Sequence, residues 1–160
     1  MINVMVRMVN NLGYVVLIVF AITKSKYFKK IIQKDKFSKR DKFILSIIFG
    51  IFGIIGTYMG TKVNGAIANT RIIGVMAGGI LCGPEVGFFS GLIAGIHRLL
   101  VDVHGITSIP CAITTIVAGI AAGYVYKISN NNNKWQFGLW SGIVFESVEM
   151  LLILLMSRPY

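Results

Sequence analysis

The sequence predicts an all-α fold: a polytopic transmembrane helix bundle of about six segments, with a helix break at Gly83-Pro84. Three observations predict it. Hydrophobic residues make up 55% of the 160 and charged residues 14%, and mean hydropathy is +0.74, well above a soluble domain of this length. The runs from Phe43 to Thr61 and from Ile106 to Tyr126 carry no charged side chain, and helices of that length cross a hydrocarbon core of about 30 Å. Both runs are apolar on all sides, whereas barrel strands alternate in segments of about ten residues.

The elements follow in order. An apolar segment from Val4 to Thr23, interrupted early by Arg7, Asn10 and Asn11, has no leader-peptide cleavage pattern and reads as a retained helix. It ends at "KSKYFKKIIQKDKFSKRDK", residues 24–42, which holds nine of the 16 Lys and Arg. The positive-inside rule keeps this basic loop in the cytoplasm, against anionic headgroups. The second helix, Phe43 to about Gly60, then leads outward to "TKVNGAIANTR", so Arg71 is expected on the outer face.

Residues 72–100 would span roughly 43 Å as one helix, longer than a crossing needs. "CGPEVG" supplies a break: Gly83 ends one helix, Pro84 suits the first position of the next, and Glu85 complements that helix's positive end. Two short helices result, Ile72 to Cys82 and Glu85 to Leu100, returning Arg98 toward Arg71; a single long, kinked helix is the alternative. Gly79, Gly83, Gly87, Gly91 and Gly95 form a ridge that lets a neighbouring helix come close. After the turn "VDVHGITS", a helix from Ile109 to Tyr126 starts with Thr107 or Ser108 as cap and Pro110 in its first turn. "KISNNNNK" is an inner loop, and Trp135 to Met156 is the last helix. Counting crossings leaves Tyr160 outside, so a single transmembrane domain, residues 1–160, is expected to continue into a further helix.

The net charge of +10 is concentrated in the one loop, which argues for membrane topology rather than nucleic acid. Cys82 and Cys111 lie in separate apolar segments and form neither a disulfide framework nor a zinc pattern. His97 and His104 are no better as metal ligands, so no metal and no cofactor are expected. Neither a phosphate loop nor a nucleophile-base pair at helical spacing is present, and no catalytic residue is assigned.

The chemistry-bearing residues gather at the predicted outer end. Arg71, Arg98 and the first turn of the helix carrying Cys111 and Thr114 fall there, together with helix N-termini at Ile72 and Ile109. Unpaired N–H groups and the helix dipole favour anions, and arginine matches a carboxylate with two parallel hydrogen bonds. The alternative is that both arginines snorkel to headgroups, Thr114 bonds its own helix and Cys111 merely packs. Glu146 and Glu149, three apart on one face near mid-depth, are costly in lipid unless paired. They either partner an arginine or His97, or couple a ligand to conformation by protonation.

"NTRIIGVMAGGILCGPEVGFFSGLIAGIHR", followed by "TSIPCAITTIVAGIAAG", resembles the five-transmembrane sensor region of LytS-type receptor histidine kinases. The likeness runs from the second apolar segment through "ESVEMLLILLMSRPY". It implies a membrane sensor of a two-component system, whose cytoplasmic kinase, outside these residues, phosphorylates a response regulator for cell-wall, autolysis or carboxylate-uptake genes. It further implies a homodimer, and a small carboxylate such as pyruvate held by Arg71, Arg98, Cys111 and Thr114, where the family also has serine. The fold is similar as well to substrate-binding subunits of energy-coupling-factor transporters, which is the alternative function. A holin-like or exporter membrane protein without a specific ligand is a third.

Overall fold

The computed structural model describes residues 2–34, 37–63, 66–68, 70–101, 108–129 and 134–156. The chain runs through α1 (Ile2–Lys24), α2 (Lys26–Ile32), α3 (Lys39–Tyr58), strands β1 (Thr61–Val63) and β2 (Ala66–Ala68), α4 (Arg71–Cys82), α5 (Pro84–Val101), α6 (Ser108–Ile128) and α7 (Lys134–Met156). The expected helical bundle is present, with one addition: β1 and β2 pair antiparallel, Lys62 opposite Ile67, in the segment read as a plain loop.

The break between α4 and α5 falls where the sequence put it. Gly83 adopts φ 97°, a backbone region open to glycine and strained for other residues, and its N–H is bonded to the carbonyl of Gly79. The two helices fold back as a hairpin rather than continuing as one kinked rod. The glycine ridge explains how closely α6 then approaches: a Cβ on Gly87 would collide with the carbonyl of Gly119, and one on Gly119 with the carbonyl of Gly87. Small residues here bring backbone against backbone, which replaces the hydrophobic drive that lipid removes.

Helix α3 packs across the other side of the hairpin, Gly50 against Ile93 and Gly53 against Ala94 and Val75. Helix α7 leans on α4 and α6, where Phe145 meets the cluster of Ile72, Met76, Ala118 and Ala122. Large apolar side chains cover the outward faces, among them Phe43, Phe89, Ile113, Trp140 and Leu151, as a surface for lipid requires. Lys39–Tyr58 and Ser108–Ile128 are long and apolar enough to cross a membrane.

The basic loop is the main departure from expectation. It contains about two helical turns, α2, whose Phe28 and Ile31 are buried with Leu45, Phe49, Cys82 and Val86, the Phe28 and Phe49 rings meeting edge to face at 6.2 Å. Two apolar residues three apart form one helical face even among lysines, so this segment closes the end of the core while its charges point out. Helix α3 also begins earlier than Phe43, because the Asp41 carboxylate accepts a hydrogen bond from the Ser38 N–H at 3.1 Å, the reach-back of a capping box. Lys34 and Lys42 tie this end together through Asp41 (2.7 Å) and Glu85 (2.8 Å). The basic segment and the Gly83-Pro84 turn therefore share one end of the bundle, and β1, β2 and the start of α4 lie at the other.

Candidate functional site

Arg71 is the first residue of α4, and its side chain is 0% exposed. Its place at the end of the bundle where α4 begins does not expose it. Helix α4, with 12 residues, is about 18 Å long and starts below the end of α3: Gly56 lies against the Arg71 backbone and Gly53 against its Cγ. The absence of side chains at those glycines lets the arginine turn inward between α3 and α6.

Its guanidinium is held from three directions. Nε donates to Thr115 Oγ1 at 2.8 Å, and Nη2 donates both to the Cys111 carbonyl and to Glu149 Oε1, each at 3.2 Å. Thr115 in turn donates to the Cys111 carbonyl at 2.6 Å, so its hydroxyl accepts from the arginine while its proton is already committed. Helices α4, α6 and α7 thus meet on one charged group. Such a pair withstands burial because hydrogen bonds to Thr115 and the Cys111 carbonyl accompany the ionic contact.

Arg98, near the end of α5, is also 0% exposed. Its backbone carbonyl accepts from Ser108 Oγ at 3.3 Å, placing it beside the first turn of α6, the turn whose Cys111 carbonyl touches Arg71. Ser108 uses its hydroxyl to join α5 to α6 rather than to cap. Two buried arginines from the two arms of the hairpin thus flank the start of one helix, Arg71 through its guanidinium and Arg98 through its backbone carbonyl, and neither snorkels.

The remaining expected residues divide. Cys111 is buried and contributes its carbonyl. Thr114 donates to the carbonyls of Pro110 (2.9 Å) and Cys111 (3.1 Å) within its own helix, and its neighbour Thr115, absent from the expected set, is the hydroxyl that meets Arg71. Nothing in residue type distinguishes adjacent threonines on a helix; only the direction of each decides. Glu149 pairs with Arg71 and not with His97. His97 instead stacks edge to face on Tyr58, ring centres 5.4 Å apart, with Tyr58 Oη 3.4 Å from Nε2. Glu146 is half-buried one turn before Glu149. His104 lies outside the described residues, and no group of metal-ligating side chains occurs among those described.

Comparison with known proteins agrees with this architecture. The family model described as 5TMR of 5TMR-LYT matches residues 25–160. The chain is 34% identical over 152 residues to the sensor histidine kinase YpdA of Escherichia coli (strain K12), covering 95% of this chain and 27% of that protein. It is 42% identical over 125 residues to the sensor histidine kinase BtsS of the same strain, covering 74% and 22%. It is 34% identical over 179 residues to the sensor protein LytS of Bacillus subtilis (strain 168), covering 100% and 30%. The chain spans less than a third of the length of these relatives. No solved structure matches. The chain belongs to the 5TMR-LYT family of membrane sensor regions.

Proposed function

We propose that this chain is the ligand-sensing membrane region of a two-component receptor histidine kinase, and that it binds a small carboxylate such as pyruvate between Arg71 and Arg98. The observation that carries the reading is the pair of fully buried arginines at the first turn of α6. Buried arginines beside a helix N-terminus favour an anion, and Arg71 already engages a carboxylate there, that of Glu149. Cys111 ends that turn and Thr114 follows three residues on; Thr114 would join a bound carboxylate by swinging its hydroxyl off the Pro110 carbonyl.

The basic segment, residues 24–42, faces the cytoplasm in this reading, and the arginine end opens outward. The whole protein carries a kinase that signals through a response regulator to cell-wall, autolysis or uptake genes, and works as a homodimer in the bilayer. Isothermal titration of the purified chain with pyruvate, lactate, acetate and succinate tests the binding. Loss of one charge-assisted bond costs about 1.5–3 kcal/mol, so Arg71→Ala and Arg98→Ala should each weaken the active acid roughly tenfold or more. Undiminished affinity in both variants refutes the site.

A further inference from the structure

We propose that Glu149 is a tethered competitor for the anion site: its carboxylate occupies the place on Arg71 that a ligand carboxylate needs, so binding displaces it and frees α7. The inference rests on the carboxylate-binding reading above and deepens it by naming how occupancy of that site changes the protein.

The first support is the geometry of the guanidinium. Both ways of gripping a carboxylate with two parallel hydrogen bonds, along the Nε/Nη2 edge or across Nη1/Nη2, use Nη2. Nη2 has two protons, and in this structure they go to the Cys111 carbonyl and to Glu149 Oε1. Nε is directed at Thr115. A ligand that grips Arg71 with two bonds must therefore take a proton of Nη2 from one of these acceptors. The Cys111 carbonyl is part of the α6 backbone, packed against α5, and cannot leave alone. Glu149 is a side chain with rotatable bonds on the outermost of the helices meeting there, and it is the acceptor that can go.

The second support is the way α7 is attached. Among its described side chains, Glu149 alone is buried, while Ile143, Val144, Val148, Met150 and Leu151 are exposed. Besides this ion pair, α7 is held by Phe145 at the edge of the Ile72 cluster and by Gly138 near Ile80. Its polar anchor is thus the one contact that a carboxylate at Arg71 competes with directly. A ligand shifts a conformational equilibrium only as far as it binds the two states unequally. For a carboxylate that grips Arg71 with two parallel bonds, competition for Nη2 supplies that inequality.

The test uses the purified chain in lipid nanodiscs, with pyruvate as the probe. Glu149→Gln removes the competing charge and keeps the shape, and should tighten pyruvate roughly tenfold. Unchanged or weaker binding overturns the proposal. Because Glu149→Gln could impair folding, a second measurement retains Glu149: spin labels on Ile113→Cys of α6 and Leu151→Cys of α7, both exposed positions, with Cys82 and Cys111 buried. Saturating pyruvate should change the α6–α7 distance distribution, and an unaltered distribution overturns the proposal. Pyruvate binding that is lost in Arg71→Ala but indifferent to Glu149→Gln would remove this inference alone; no binding of any tested acid by the parent removes the carboxylate reading and this inference with it.

Discussion

Thr114 and Thr115 are consecutive hydroxyls on α6 with separate tasks. Thr114 bonds the carbonyls of its own helix, an arrangement that water or a relaxed backbone can replace. Thr115 sits between the Arg71 Nε and the Cys111 carbonyl, and deleting its oxygen leaves a buried charged donor unmet. Thr115→Val should therefore cost about 1–3 kcal/mol, and Thr114→Val about 1 kcal/mol or less, read from thermal unfolding in one detergent. Equal losses would mean that the Arg71–Thr115 bond contributes nothing to stability. The arginines themselves were legible in the sequence, since charges at the ends of an apolar stretch demand a reason. Their partners were not. Arg71 and Glu149 are 78 positions apart, and a carboxylate three residues from another looks equally suited to pairing with His97.

At the level of elements, the α5–α6 contact is decided by glycine. At Gly87 and Gly119 an added methyl meets backbone, which has no rotamer by which to yield. Gly87→Ala and Gly119→Ala should each destabilise by about 3 kcal/mol, the upper range for overpacking. Gly142 of α7 has open space around it, and Gly142→Ala should be neutral or stabilising by up to about 1 kcal/mol, through helix propensity. Thermal unfolding of the three variants checks this, and a tolerated Gly87→Ala would contradict the close approach. The ridge and the Gly83-Pro84 break could be read from spacing because both are local. Helix α2 could not, since the lysines around Phe28 and Ile31 mask a two-residue apolar face that acquires meaning only when α3 and α5 offer it a place.

For the whole molecule, the ion pairs at Lys34–Asp41 and Lys42–Glu85 and the hairpin β1–β2 mark opposite ends. If the basic end is cytoplasmic, a membrane-impermeant maleimide applied to intact cells should label Tyr58→Cys, an exposed position at the far end, and reach Lys30→Cys only after permeabilisation. Labelling of Lys30→Cys from outside reverses the orientation. By itself the sequence determined the class of fold, the approximate limits of every described helix except α2, the turn at Gly83-Pro84 and the segregation of positive charge. Each of these follows from hydropathy or from backbone chemistry acting over a few neighbouring residues. Only the tertiary structure decided that Arg71 lies inside the bundle rather than on its rim, that Thr115 and Glu149 hold it, and that His97 turns to Tyr58. Those choices depend on the direction of side chains on helices far apart in the chain, and direction is fixed by packing, which local sequence does not encode.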